Sequence, residues 1–219
     1  EKLKHLDILY SNLQKLGQVG LYLNINNQRN SIILGKQFKY ISGIKDISLE
    51  EFGIKYNIDI PSFLQVNNEI KRDLYLEVAN NINNEIVIDA YAGAGLLSAI
   101  LSKQAKKVYS VEIVKEASIK AKALTLENKI TNIEVINGDC SYIVPKLVGK
   151  LNNCCVVLDP SHAGCGEEVI NSVKCVNKII YISCNPIALA KDLRLLVNTH
   201  NIQLIKPYDM FPQTKHVET

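Results

Sequence analysis

The feature that most limits what this chain can fold into is a regular alternation of apolar and amphipathic segments that begins near residue 85. Short apolar runs predict strands at residues 86–90, 107–112, 133–137, 154–159 and 178–183. Helix-like segments follow them at residues 95–104, 115–129, 141–149, 166–174 and 187–198. Strands that alternate with crossover helices form a parallel, doubly wound sheet. Such a sheet binds ligands at the carboxyl ends of its strands, so we expect an α/β fold whose site residues follow those ends.

The residues before this alternation predict a small α+β subdomain. An opening helix carries leucines on about one face, namely Leu3, Leu6, Leu9, Leu13 and Leu16. Short strands at 21–25, 31–34 and 54–58, separated by Asn- and Gly-containing turns, indicate a small antiparallel sheet. A helix over about 68–82 then leads into the α/β part. We therefore predict a partial N-terminal subdomain at 1–67 and a larger domain at 68–219.

Charge and cysteine content say more about the compartment than about partners. The 25 Lys and Arg against 22 Asp and Glu give a net charge of +3, which neither indicates nor excludes a polyanionic partner. The six cysteines include no C-x-x-C pair and no zinc-type spacing, so we expect free thiols, no metal and a reducing compartment. No signal peptide or membrane-length apolar run is recognisable, so we expect a soluble, cytoplasmic monomer.

The loop after the first strand of the α/β part has the residues of a nucleoside-binding turn. Gly93 and Gly95 allow a sharp turn and a close approach of the backbone to a ligand. The third glycine of the dinucleotide fingerprint is replaced by Ser98, which disfavours a pyrophosphate-binding loop. Glu112 ends the second strand, where a carboxylate can accept hydrogen bonds from ribose hydroxyls.

Asp139 follows the third strand, where its carboxylate can accept a hydrogen bond from the exocyclic amine of adenine. The glycines alone are equally compatible with an ordinary strand-to-helix turn. Together with the two acids at successive strand ends, they favour a methyltransferase-type nucleoside site.

Four further segments carry chemically informative residues. They are Phe63-Leu-Gln65-Val-Asn67, Asp159-Pro-Ser-His-Ala-Gly164, Ser183-Cys-Asn-Pro186 and Asp209-Met-Phe-Pro-Gln-Thr-Lys-His-Val-Glu218. Together they resemble the RNA (uracil-5-)-methyltransferase family, which makes 5-methyluridine, and most closely the Gram-positive branch that modifies 23S ribosomal RNA. The likeness spans about residues 20–219, and the combination is highly specific although each segment alone would be weak.

The resemblance implies a Rossmann-like methyltransferase sheet, S-adenosylmethionine as cofactor and RNA as partner, with ribosomal RNA ahead of transfer RNA. It implies that Cys184 is the catalytic nucleophile and Glu218 the catalytic base. It also implies that Gln65, Tyr91 and Asp159 lie at the cofactor or the target base.

The reaction explains why these residue types are needed. Carbon 5 of uracil is a poor nucleophile towards a methyl sulfonium, and addition of a thiolate to carbon 6 places electron density on it. A base must then remove the carbon-5 proton so that the cysteine can leave. A free cysteine has a pKa of about 8.5, and we expect the helix that begins near Pro186 to favour the Cys184 thiolate through its dipole.

Three departures from the family pattern leave a second hypothesis open. The family's D-P-P-R-x-G becomes Asp159-Pro-Ser161-His162-Ala-Gly164, which loses a fixed positive charge. The family's N-terminal RNA-binding barrel and the hydrophobic strand that follows the glutamate are not recognised, so we expect weak, salt-dependent RNA binding. The alternative to an active enzyme is therefore a degenerate RNA-binding remnant. A small-molecule methyltransferase is disfavoured because the covalent chemistry suits a uracil ring.

Overall fold

The computed structural model describes residues 4–27, 35, 37–59, 65, 67–151 and 153–219. The chain divides into two compact units. One comprises Glu1–Leu49 and Asn57–Pro61, and the other comprises Glu50–Tyr56 and Ser62–Thr219. The division at residue 67 that the sequence suggested stays a prediction about domains.

The first unit contains a short helix and an antiparallel strand pair. Helix α1 (Leu6–Gln14) precedes strands β1 (Gly20–Ile25) and β2 (Gln37–Gly43), which pair from Gly20↔Gly43 to Ile25↔Gln37. The opening helix and the strand at 21–25 are confirmed, whereas β2 was not predicted. Leu3 and the strand predicted at 31–34 lie outside the described residues.

Strands β3 (Ile47–Glu51) and β4 (Ile54–Ile58) form a second two-stranded sheet, so the strand predicted at 54–58 is confirmed. The described residues before the α/β part therefore hold two small sheets where the sequence suggested one.

The second unit is built on a parallel sheet with crossover helices. Its further elements are α2 (Asn68–Asn80), β5 (Ile86–Ala90), α3 (Leu96–Leu101), β6 (Lys107–Glu112), α4 (Lys115–Glu127), β7 (Ile133–Asn137), α5 (Cys140–Val148), β8 (Cys154–Leu158), α6 (Glu167–Ser172), β9 (Lys178–Tyr181) and α7 (Pro186–Arg194). The strand order is β7-β6-β5-β8-β9, and every pairing is parallel. The predicted α/β fold is confirmed. The longest helices in the described part of the chain have 13 residues, and none could cross a lipid bilayer.

The predicted strands agree closely with the observed ones. β5, β6 and β7 have the predicted bounds, and β8 and β9 end one and two residues earlier than predicted. The helices are mostly shorter than the amphipathic pattern suggested; α3, for example, ends at Leu101 instead of 104. The amphipathic pattern indicates only which side chains face the sheet, so it continues into last turns that are too irregular to count as helix.

The central strands are covered on both faces by helices. All five residues of β8 are buried, and so are four of the five in β5. On one face, Ile88 and Val156 pack in a cluster with Val144 of α5 and Ile170 of α6. Continuous burial of this kind is typical of parallel strands. The chain enters the sheet at β5 and turns to opposite sides for β6 and β8, so the crevice between β5 and β8 is the topological switch point.

The turn that joins β5 to α3 depends on two glycines with left-handed backbones. Gly93 has φ 55° and Gly95 has φ 84°. A Cβ on Gly95 would lie 2.8 Å from the Cβ of Ala121 in α4, whereas a Cβ on Gly93 would meet nothing within 4 Å. Gly95 therefore permits close helix packing, and Gly93 leaves open space beside the backbone.

We predict that Gly95→Ala lowers the free energy of unfolding by about 2–4 kcal/mol, since the left-handed backbone and the clash with Ala121 both oppose a side chain. The matched variant Gly93→Ala meets only the backbone cost and should lose about 1–2 kcal/mol. Urea unfolding monitored by circular dichroism measures both values. Equal losses would contradict the close-packing role of Gly95.

Candidate functional site

The register of the sheet brings three loop starts to one edge. Ala90 at the end of β5 pairs with Val111 of β6 on one side and with Leu158 of β8 on the other. Tyr91, Glu112 and Asp159 therefore lie at neighbouring carboxyl ends, as the sequence predicted for a doubly wound sheet.

Glu112 is fixed beside the glycine turn by the backbone. Its side chain is buried, and its Oε2 accepts a hydrogen bond of 2.8 Å from the amide of Gly93. Its Oε1 accepts one of 2.6 Å from the amide of Val114. Each carboxylate oxygen has a further lone pair, so the group can still accept hydrogen bonds from a ligand in the open space at Gly93.

Tyr91 and Asp139 complete this side of the edge. Tyr91 has φ 65°, and its hydroxyl donates a hydrogen bond of 3.1 Å to the carbonyl of Cys165. Asp139 is exposed and caps helix α5, because its Oδ1 accepts from both the amide and the hydroxyl of Ser141 at 2.8 Å. Capping is by itself a sufficient local reason for an aspartate at this position.

Glu218 is held in place by main-chain hydrogen bonds on both sides. Its amide donates to the carbonyl of Tyr208 at 3.1 Å, and its carbonyl accepts from the amide of Tyr208 at 2.7 Å. The next residue, Thr219, exchanges two hydrogen bonds of 2.9 Å with Ser183, the neighbour of Cys184. The Glu218 side chain is only 4% exposed, and within the described part of the chain its Oε2 has no hydrogen-bond partner.

Gln65, Asp159 and Cys184 lie close enough to Glu218 to interact electrostatically. Burial raises the pKa of Glu218, and a hydrogen bond from Gln65 opposes that rise. Burial and the nearby charge of Glu218 raise the pKa of Asp159 to about 8. Gln65 is itself buried, and its Oε1 has no hydrogen-bond partner in the described ranges. The structure thus brings these four predicted site residues together.

Cys184 is partly exposed in the turn before α7, and its surroundings act against the thiolate. Burial raises the pKa of its thiol, and the charges of Glu218 and Asp159 raise it further. We had expected the helix that follows to favour the thiolate. The helix does begin at Pro186, but the two acids and the burial act in the opposite direction.

Asn185 ties the turn at Cys184 to the loop that follows Asp159. Its Oδ1 caps α7 by accepting from the amide of Ile187 at 3.1 Å. Its Nδ2 donates to the backbone carbonyl of His162 at 2.9 Å and lies 3.3 Å from Nδ1 of the His162 imidazole ring. The position where the family carries arginine is therefore in contact with the residue next to the candidate nucleophile.

Asp192 holds the same loop from within α7. It is 5% exposed, and its Oδ2 accepts from the amide of Cys165 at 2.8 Å and from the hydroxyl of Tyr181 at 2.7 Å. The carbonyl of Cys165 accepts from Tyr91, so a single loop residue links the glycine turn to α7. Sequence reasoning missed Asp192, because an aspartate in a helix of mixed polarity is typical of an exposed position.

The sequence of this chain is similar to those of known RNA methyltransferases. A sequence model described as tRNA (Uracil-5-)-methyltransferase matches residues 147–219. An uncharacterized RNA methyltransferase of Clostridium tetani is 38% identical over the whole chain and 50% of its own length. One of Bacillus cereus is 40% identical over 89% of the chain and 44% of its own length. The chain is thus similar to RNA (uracil-5-)-methyltransferases, with the family model covering its last third. It spans about half the length of these curated relatives.

Solved structures support the fold. The tRNA (uracil-54, C5)-methyltransferase of Pyrococcus abyssi, solved in complex with S-adenosyl-L-homocysteine, superposes with a TM-score of 0.74. The two proteins are 24% identical, and the superposition covers 91% of this chain and 49% of the Pyrococcus abyssi enzyme. Trm5b of the same organism has a TM-score of 0.60 at 20% identity, covering 87% of this chain and 57% of its own. These likenesses confirm the Rossmann-like α/β fold.

The family segments are only partly within the described residues. Phe63 lies outside them, whereas Gln65, Asp159, Cys184 and Glu218 are described and lie together. Glu112 and Gly93 form a second group along the same edge of the sheet, with Tyr91 and Asp139 beside it. The roles of all these residues stay predictions.

Two residues of the second unit, Asp89 and Tyr75, lie close enough to Asp159 to interact with it electrostatically. Sequence reasoning did not nominate either of them. Asp89 is fully buried, and burial raises its pKa to about 7 although the Ser98 hydroxyl donates to its Oδ2 at 2.5 Å. The other oxygen of Asp89 has no hydrogen-bond partner among the described residues. Tyr75 of α2 has a raised pKa because of burial and the nearby charges of Asp159 and Asp89. The aspartate that begins the D-x-x-x-G-x-G turn was the available signal for Asp89; nothing local marks Tyr75.

We predict that Asp89 makes the protein less stable as the pH rises from about 4 to about 7. The folded protein retains the Asp89 proton in this window, whereas the unfolded chain loses it near pH 4, so the free energy of unfolding falls. The loss is roughly 4 kcal/mol from a pKa shift of this size. Urea unfolding at pH 4.5, 6 and 7.5 should show that Asp89→Asn flattens this slope.

The partner variant Ser98→Ala removes a hydrogen bond that lowers the pKa of Asp89. It should extend the declining part of the curve to higher pH. Parallel pH profiles for wild type and Asp89→Asn would show that Asp89 does not titrate in this way.

Proposed function

We propose that this chain methylates carbon 5 of a uridine in RNA with S-adenosylmethionine, through a covalent bond between Cys184 and carbon 6 of the base. The cysteine sulfur adds to carbon 6, and carbon 5 then takes the methyl group from the sulfonium sulfur of S-adenosylmethionine, which would leave as S-adenosylhomocysteine. Glu218 removes the carbon-5 proton, and the bond between sulfur and carbon 6 breaks to release 5-methyluridine and the thiolate.

The observation that carries this proposal is the pair of buried acceptors without partners beside Cys184. Glu218 Oε2 and Gln65 Oε1 are both shielded from water and have no hydrogen-bond partner among the residues that the structure describes. An unsatisfied buried polar atom costs about 1–3 kcal/mol, so such atoms mark places where a ligand supplies the missing groups. A uracil ring offers an N–H donor on its edge and a carbon-bound proton for the carboxylate. Because burial raises the pKa of Glu218, its carboxylate is also a stronger base than an exposed one.

The electrostatics of the site suit a step that starts from a neutral thiol. Asp159 has a pKa of about 8 and is therefore mostly protonated at neutral pH, which removes one of the charges that oppose a Cys184 thiolate. The thiol proton can leave to solvent because Cys184 is partly exposed, so Glu218 stays ionised and available for the carbon-5 proton. S-adenosylmethionine, when bound, supplies the methyl group and a positive sulfonium charge. These residues also argue against the alternative of a non-catalytic remnant, since a remnant has no need of buried, unpaired acids.

The residues at Gly93 and Glu112 fit this cofactor. Gly93 leaves open space where a side chain would begin, and the Glu112 carboxylate beside it is oriented by two amides. We propose that Glu112 accepts hydrogen bonds from the ribose hydroxyls and that Asp139 accepts one from the adenine amine. Tyr91 and Asp159 would lie along the same ligand, at the adjoining strand ends.

We propose 23S ribosomal RNA as the substrate, with transfer RNA as the second candidate. The motifs resemble the Gram-positive ribosomal branch, and relatives in Clostridium and Bacillus carry RNA methyltransferase names. Transfer RNA enters because the matching family model and the Pyrococcus abyssi enzyme are both named for it.

We predict that incubation with 5-fluorouridine-containing RNA and S-adenosylmethionine traps the protein in a covalent adduct. Fluorine at carbon 5 prevents proton removal, so the bond to Cys184 cannot break. Denaturing gel electrophoresis with labelled 23S fragments and transfer RNA in parallel detects the adduct and ranks the two substrates. Cys184→Ala should form none. An equal adduct with Cys184→Ala, or no adduct with either RNA, would overturn the catalytic proposal.

With ordinary uridine, Glu218→Gln separates the two halves of the same reaction. Glutamine keeps the size of the side chain but cannot take the proton, so a methylated adduct should accumulate. Full turnover by Glu218→Gln would remove Glu218 from the mechanism.

We predict that Glu112→Gln weakens binding of S-adenosylhomocysteine at least tenfold, since a hydrogen bond to a charged acceptor contributes about 1.5–3 kcal/mol. Isothermal titration calorimetry measures the dissociation constant. Glu134→Gln is the matched control, because Glu134 is an exposed strand residue paired with Lys107. An unchanged affinity in Glu112→Gln would place the cofactor elsewhere.

A further inference from the structure

A notch of about 470 Å³ lies next to the proposed catalytic site and takes no part in the reaction described above. It is lined by the start of α2 and by the loop that precedes Glu218, namely Asn67, Asn68, Glu69, Met210, Phe211, Pro212 and Thr214. The same two chain segments carry Gln65 and Glu218, whose side chains are in contact. The notch is therefore continuous along the chain with the proposed uracil site.

The wall formed by the loop is apolar and internally fixed. The Tyr208–Glu218 pairing closes the loop. Within it, Thr214 donates to the carbonyl of Phe211 through its amide at 3.2 Å and through its hydroxyl at 2.8 Å. The rings of Phe211 and His216 pack edge to face with centroids 6.0 Å apart. Phe211 is thus a partly exposed aromatic ring whose orientation is set before any ligand arrives.

The opposite wall is polar and carries a negative charge. Asn67 and Asn68 have already committed their side-chain oxygens to the amide of Ile70 and to Lys71. Glu69 is exposed and carries the carboxylate of this wall, so hydrogen-bond donors are favoured and phosphate is disfavoured. An aromatic face opposite an acceptor edge suits a flat ring with an amino group.

We propose that this notch binds a nucleobase with an exocyclic amine that flanks the target uridine on the same RNA strand. The base stacks on Phe211, and its amine donates to Glu69. The inference rests on the proposed function in taking RNA as the ligand, and it adds how the strand is held beside the modified base. Stacking of bases on aromatic side chains is common wherever proteins bind unpaired RNA.

The test uses RNA stem-loops with one 5-fluorouridine in the loop and 2-aminopurine, a fluorescent base with an exocyclic amine, at one of the two positions on either side. The covalent adduct fixes the register, so each probe reports its own position. We expect strong quenching at one flanking position in wild type, and its loss in Phe211→Leu with a roughly tenfold rise in KM for RNA. Phe211→Tyr should retain the quenching. Tyr142→Leu, which alters an exposed ring of α5 outside the notch, should leave both measurements unchanged.

A second variant tests the amine. Replacing 2-aminopurine by unsubstituted purine at the quenched position should weaken binding to wild type but not to Glu69→Ala. Adduct formation without Phe211-dependent quenching would overturn this inference and leave the proposed function standing. Phe211-dependent quenching in the non-covalent complex without any adduct would do the reverse, and the absence of both would overturn both.

Discussion

Parallel pairing of β5 with β6 on one side and with β8 on the other is the constraint on which the rest of the site depends. Because parallel strands end at the same edge, the pairing of Ala90 with Val111 and Leu158 fixes where the loops after all three strands begin. The glycine turn, Glu112 and Asp159 then have no freedom to separate. Their chemistry differs, but their proximity is a property of the sheet.

That edge concentrates carboxyl groups that burial makes reluctant to ionise. Asp89, Asp159 and Glu218 all have raised pKa values, with burial as the largest cause, and charges of the group raise the pKa of Asp159. Such groups lower the stability of a folded protein at neutral pH, so they persist where ligands or reaction steps use them. The hydrogen bonds from Ser98 to Asp89 and from Gln65 to Glu218 lower two of these pKa values and keep the acids oriented.

Much of the fold and part of the site could be predicted from the sequence, and the division follows the range of the interactions. The central strands were predictable because burial on both faces leaves uninterrupted apolar runs. Gly93 and Glu112 were predictable because a turn and a strand end are local signals. β2 was not predicted, because each of its residues is exposed or only partly buried and they leave no apolar run. The secure placement of Glu218 and the role of Asp192 depend on partners far along the chain, which no local pattern reveals.

The exchange of hydrogen bonds between Ser183 and Thr219 has a consequence for how this chain can vary. The candidate nucleophile and base each lie one residue from a member of this pair, so the main chain sets the spacing between them. Insertions or deletions within residues 209–217 would change the loop and the notch that it lines, but not the spacing of Glu218 from Cys184. One residue gained between Glu218 and Thr219 would instead shift the carboxylate relative to Cys184, because it would separate the pairing at Tyr208 from the pairing at Ser183. Changes of chain length before Glu218 therefore preserve the spacing between the candidate nucleophile and base, whereas changes after it alter that spacing. Side-chain identity alone would not reveal this asymmetry.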